Sequence, residues 1–297
     1  MEPPAYASFD VPGYVGALRR QGELLASAAQ RAGLATAVPS CPGWAVRDLL
    51  RHTGYVHRWA TGFVAEGLTR PGGASEEEIL SQGPADAQLP GWFCEGHAAL
   101  VRALDAAPPD LECWTFLAAP SPLAFWARRQ AHETAIHRVD AEQAASAAGQ
   151  AESTAGQPAS TADQPAGTAG LAASTAGPVP PGNGAAFEPA LAADGVDELL
   201  MGFLARGIRR GNWTGLGGSL AIHADDGTAG RADWLIAGDP DAPGVSRGTG
   251  RADCDVTGPA AELYLMLWNR APADRLDVTG DPSILAVFGR ALQITWS

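Results

Sequence analysis

The stretch Trp126–Asp140, WARRQAHETAIHRVD, constrains the fold of this chain more than any other. Read as a helix, it sets Glu133 and His137 at positions i and i+4, about 40° apart on one face, so both side chains reach a common point. Trp126, Arg129, Asp140 and Ala144 fall on the same stripe. Helices turn such a stripe inward when it is apolar, yet this one carries an acid, an imidazole and a second acid. A buried carboxylate without a partner is costly. A metal ion satisfies that demand, and so does a closed hydrogen-bond network in which Glu133 pairs with His137 or with arginines.

His132 and Glu133 begin a sequence that looks like the zinc-protease motif HExxH, but the second histidine, His137, comes five residues after His132. That spacing turns the two imidazoles about 140° apart, too far to share one ion. A further candidate lies upstream in a helix expected from Trp44 to Glu66. There His52 sits in the middle of an apolar stripe formed by Leu49, Val56, Trp59 and Phe63, while His57 lies about 140° away. A histidine centred on a core stripe must bond something, either as a ligand or as a satisfied core residue. His97 has no partner at useful spacing and reads as core or surface. His223, on a strand bounded by turns, is expected at the surface.

The composition removes whole classes of chemistry. All 20 basic residues are arginine. Schiff-base catalysis, pyridoxal phosphate linkage and Walker-type phosphate binding all need a lysine and are excluded. A net charge of −13 and a pI near 4.8 argue against nucleic acid and anionic membranes as partners. Cys41, Cys94, Cys113 and Cys254 are widely spaced with no CxxC pair, which argues against a metal cluster or a disulfide framework. No signal-peptide pattern or membrane-length apolar run is present, so a cytoplasmic protein with free thiols is expected.

Along the chain, residues 10–34 read as an amphipathic helix stopped at Gly33, and Pro39 and Pro42 bar a helix before about Gly43. Residues 71–89 read as an acidic loop with a short turn around SEEEIL. A third helix is expected over 91–104 and a fourth from Pro122 to about Ala148. Residues 149–186 form a Ser, Thr, Ala, Gly and Pro insertion with a degenerate seven-residue repeat and no apolar seam, expected to be disordered. A helix over 188–209 follows, then strands at 219–224, 231–238, 252–258 and 275–280. A helix over 259–270 and a terminal helix from Asp281 complete a second unit of α+β type.

The motifs VPSCPGWAVRDLLRHTGYVHRWA, FWARRQAHETAIHRVDAE and the closing ELYLMLWNR and LDVTGD resemble the mycothiol-dependent maleylpyruvate isomerase family over nearly the whole chain outside the insertion. The resemblance implies a DinB-like N-terminal four-helix bundle over 1–148 and a smaller C-terminal α+β domain over 187–297. It implies a zinc ion, or another divalent metal, held by His52, Glu133 and His137, with mycothiol as the thiol cofactor. Two histidines and a carboxylate leave one tetrahedral position open, the arrangement of catalytic zinc. The implied reaction adds the activated thiol to a small electrophilic substrate such as maleylpyruvate, either as isomerase or as S-transferase. Arg270 is the implied C-terminal-domain arginine for catalysis and cofactor binding, with Arg275 as its rival; Asp140, one turn from His137, either orients that ring or stands as a surface carboxylate. Two other readings keep the fold: a metalloenzyme of secondary metabolism that does not use mycothiol, and a non-catalytic metal- or small-molecule-binding stress protein.

Overall fold

A computed structural model describes residues 4–72, 76–81, 83–155, 187–211, 215–239 and 243–292. The expected insertion therefore lies, beyond residue 155, outside the described residues. Helix α1 (Val11–Ala32) starts where Asp10 accepts a hydrogen bond from the Gly13 amide at 2.9 Å and stops at Gly33, whose φ of 81° suits glycine. Helix α2 (Val46–Glu66) opens two residues later than Trp44, because the Asp48 carboxylate reaches back to the Ala45 amide. A short helix α3 (Glu76–Ser81) takes the place of the expected turn, and α4 (Leu89–Ala106) follows. Helix α5 (Pro122–Ala155) starts at the expected proline and continues beyond the expected stop at Ala148.

Helices α1, α2, α4 and α5 pack as a bundle around Leu18, Leu25, Leu49, Phe63, Leu100, Trp126 and Ile136, all buried. Phe63 stacks on Trp126 at 4.9 Å between centroids, and Trp59 meets Trp126 edge-on at 5.1 Å. These rings close one end of the bundle and fix the rotation of α5. His97 is buried between α1 and α4, where its Nε2–H donates to the Leu18 carbonyl at 3.1 Å. The approach works because position 22 is glycine: a Cβ there would overlap the His97 imidazole. Gly22→Ala is therefore expected to destabilise the fold by about 1–3 kcal/mol through overpacking. Gly16→Ala on the same helix meets only ordinary contact with Arg20 and should gain up to about 1 kcal/mol of helix propensity. Chemical denaturation of the two variants checks the contrast.

The second unit begins with α6 (Pro189–Asp197), which runs into a π-helical stretch, Glu198–Leu204, and then α7 (Ala205–Arg209). Strands β1 (Leu220–Asp225), β2 (Arg231–Ala237), β3 (Gly244–Arg247), β4 (Cys254–Gly258) and β5 (Asp277–Gly280) form one sheet in the order β3-β2-β1-β4-β5. Among these five strands β1 and β4 pair in parallel and the other neighbours pair antiparallel. Helix α8 (Ala260–Leu267) lies between β4 and β5 in sequence, and α9 (Pro282–Ala291) follows β5. Leu220, Ile222, Ala224, Trp234, Ile236, Cys254 and Val256 face the core, whereas His223, Asp233 and Asp255 meet on the open face. Strand β3 was not foreseen: it is a short, half-exposed edge strand behind a proline, with Val245 its single β-branched residue. The π-helical turn was also not foreseen; the segment reads as ordinary helix.

One apolar cluster runs from Leu18 and Ile136 in the bundle through Leu191 and Tyr264 to Ile222 and Val256 in the sheet. The two units share a core along α5, α6 and α8. Among the described residues no helix is long and apolar enough to cross a membrane.

Candidate metal centre

Helices α2 and α5 cross so that His52, Glu133 and His137 meet in the bundle interior, all three buried. One potential donor atom from each lies within 4.8 Å of the others. The Nε2 atoms of His52 and His137 each stand 3.2 Å from the same oxygen, Oε1 of Glu133. The imidazole planes meet at 75°, with centroids 5.0 Å apart. Two imidazole nitrogens and a carboxylate oxygen converging on one buried point form a donor set suited to zinc.

Each α5 donor is fixed from behind. Oε2 of Glu133 accepts from Arg129 at 2.9 Å, one helical turn earlier, and Arg129 also pairs with Glu198. His137 donates from Nδ1 to Oδ2 of Asp140 at 2.8 Å, which leaves its Nε2 facing the cluster. Asp140 is fully buried and accepts from Ser40 Oγ at 2.5 Å and from Arg270 Nε and Nη2 at 2.8 and 3.1 Å. Cys41 lies 3.6 Å from the same carboxylate, and Trp44 packs against the His52 ring at 5.1 Å. The loop before α2, SCPGW, thus lines the site through three side chains.

The electrostatics follow from this bonding. Burial opposes the charge on Glu133, but hydrogen bonds from His137 and His52 and the Arg129 charge outweigh it and hold the carboxyl well below its usual range. Burial likewise opposes an imidazolium at His137, yet Asp140 and Glu133 hold its pKa at about 9. The protonated ring donates from Nδ1 to Asp140 and from Nε2 to Glu133, and a divalent cation would take the place of the Nε2 proton. Asp140 is kept ionised against burial, chiefly by Arg270 and His137. Burial and the neighbouring Asp140 push the Cys41 thiol up to about 12, which favours the protonated thiol at neutral pH.

The remaining histidines are spent elsewhere. His132 is buried on the opposite side of α5, with Nε2 2.7 Å from Asp194 and Nδ1 3.3 Å from the Tyr264 hydroxyl. His57 bonds Thr134 at 2.9 Å and packs against His97 and Phe93. Their separation from the cluster follows the angular reading of both helices. His223 pairs with Asp233 at 2.6 Å and Asp255 at 3.3 Å on the sheet. Arg275, the rival of Arg270, makes a surface pair with Glu262. Arg270 does come to the site, but Nε and Nη2 are engaged with Asp140 and Nη1 with the Trp268 carbonyl. Ser40 and Glu198 were not singled out from the sequence. Ser40 sits in a recognisable motif, whereas nothing local marks Glu198, whose partner is far away in the chain.

Residues 15–142 match the family profile described as mycothiol maleylpyruvate isomerase N-terminal domain, and residues 190–286 match the MDMPI C-terminal domain. No curated protein sequence matches the chain. Among solved structures, the crystal structure of the mycothiol-dependent maleylpyruvate isomerase is 15% identical, with a TM-score of 0.54 over 91% of this chain and 93% of the other. A histidine-to-alanine mutant under the same protein name is 14% identical, with a TM-score of 0.55 and the same coverage. At that identity the likeness is one of fold.

Proposed function

The chain belongs to the mycothiol maleylpyruvate isomerase family, and from that premise we propose that it is a zinc-dependent enzyme using mycothiol on a small electrophilic, maleylpyruvate-like acid. The observation that carries the metal part is the convergence of His52, Glu133 and His137 on one buried point. Zinc held by His52, Glu133 and His137 would supply the Lewis acidity that keeps a thiol ionised at neutral pH, where a free thiol of pKa about 8.5 is only a few per cent thiolate. An ionised thiol would supply the reversible nucleophile that cis-to-trans isomerisation of an enedioyl acid needs, one that adds to the double bond and leaves again with no net change of atoms.

The chain's own residues prepare this chemistry. Asp140 fixes the His137 tautomer, so that Nε2 is the nitrogen offered to the ion. Arg129 occupies Oε2 of Glu133 and leaves Oε1 for the cluster. Arg270 balances the Asp140 charge from the second domain. With its donors engaged in this way, we assign it a positioning role at the site in place of direct contact with substrate or mycothiol. An S-transferase reaction would use the same thiolate on a different electrophile.

The test is the isomerisation of maleylpyruvate by zinc-loaded protein with and without mycothiol. Turnover is expected only when zinc and the thiol are both present. Turnover after chelation, or without any added thiol, contradicts the proposal. Cys41 provides an internal control: Cys41→Ser should retain most of the activity, because serine keeps a donor for Asp140 and the native thiol is held protonated. An inactive Cys41→Ser variant that still binds zinc would point to a protein nucleophile.

A further inference from the structure

Behind the carboxylate ligand lies a pair of charges that crosses between the two units. Arg129 is 3% exposed and sits between Glu133, on its own helix, and Glu198, which is 2% exposed and opens the π-helical stretch of the second unit. The rings of Phe203 and Trp268 flank the guanidinium at 5.2 and 5.8 Å. Glu198 and Phe203 are five residues apart, a spacing that in an α-helix would turn them about 140° from each other. A π-helix closes its turns on i+5. That geometry brings an acid and a ring from one short segment to the same guanidinium. A regular helix over these residues would present one or the other.

We infer that Glu198 is a positioning residue for the metal centre: acting through Arg129, it fixes the orientation of Glu133 and ties the ion's carboxylate ligand to the docking of the second domain. Without Glu198, Arg129 keeps Glu133 as its one carboxylate partner among the described residues and is free to draw it away from the histidines. The inference rests on the metal reading above. It adds that the C-terminal domain helps to build the centre, since two of the three donors are braced from it, Glu133 through Glu198 and His137 through Arg270.

Zinc affinity, measured by competition with a chromophoric chelator well below the melting temperature, is the test. Glu198→Gln should bind zinc up to about 10-fold more weakly than wild type, the low end for outer-shell partners, because Glu198 acts through Arg129 and glutamine keeps an acceptor. Its cobalt-substituted form should show an altered d–d spectrum, which a loss of global stability alone would not produce. Should Glu198→Gln not fold, Arg129→Met and Arg129→Met/Glu198→Met decide; the double variant removes both charges of the pair, and the single variant, which strands Glu198, is measured well below its own melting temperature. Both are expected to lose affinity equally, since Glu198 acts only through Arg129. Wild-type affinity in Glu198→Gln, or a further loss in the double variant, overturns the inference. A wild-type protein that binds no zinc would instead overturn the metal reading on which it rests.

Discussion

Replacing Glu133 by alanine is expected to weaken zinc binding at least a hundredfold and to reduce isomerisation to background, with helical circular dichroism nearly unchanged. Loss of an outer-shell partner alone costs about 10–100-fold in metal affinity, and Glu133 would be a direct ligand. The fold should tolerate the change because Arg129 retains Glu198, so no buried charge is stranded. His52→Ala and His137→Ala should behave alike. His57→Ala and His132→Ala are the controls, since their rings bond Thr134 and Asp194 on other faces of the helices. Metal analysis of the purified variants decides the matter, and full occupancy in Glu133→Ala would remove these three residues as the binding set.

Arg270→Met is expected to destabilise the protein by about 3 kcal/mol, the lower end of the range for breaking a buried ion pair. Asp140 is completely buried and would lose two hydrogen bonds, from Nε and Nη2, together with its balancing charge. Ser40 and His137 remain as partners, which is why the lower end applies. At about 2–4 °C per kcal/mol for sizeable domains, the melting temperature should fall by several degrees. Arg275→Met, which breaks only an exposed pair with Glu262, should stay within about 0.5 kcal/mol. Equal melting temperatures for the two variants would show that the Arg270–Asp140 pair contributes little.

The site was legible in the sequence because two of its three candidate donors share one helix. The i, i+4 spacing of Glu133 and His137 places them without any knowledge of the fold, and the same angular bookkeeping separates His52 from His57. The order of helices was legible from Gly33, Pro42 and Pro122, each of which restricts the backbone locally. The pairing of α2 with α5 depends on contacts distant in the chain and rests, at the sequence level, on family resemblance. Glu198 could not be found that way. Its meaning comes from a π-helical turn and from Arg129, 69 positions earlier, and neither leaves a local pattern. Strand β3 escaped for a related reason: an edge strand with a half-exposed pattern is defined by its pairing with β2 rather than by its own residues.

The proposed metal chemistry requires that His52, Glu133 and His137 hold one ion that meets the thiol directly. Cobalt substitution tests it without reliance on turnover, because sulfur ligation produces a charge-transfer band that oxygen ligands do not. The protein is expected to take up one equivalent of cobalt, to develop that band as mycothiol is added, and to show neither change in the Glu133→Ala variant. A cobalt-loaded protein whose spectrum is unmoved by saturating mycothiol would contradict the claim.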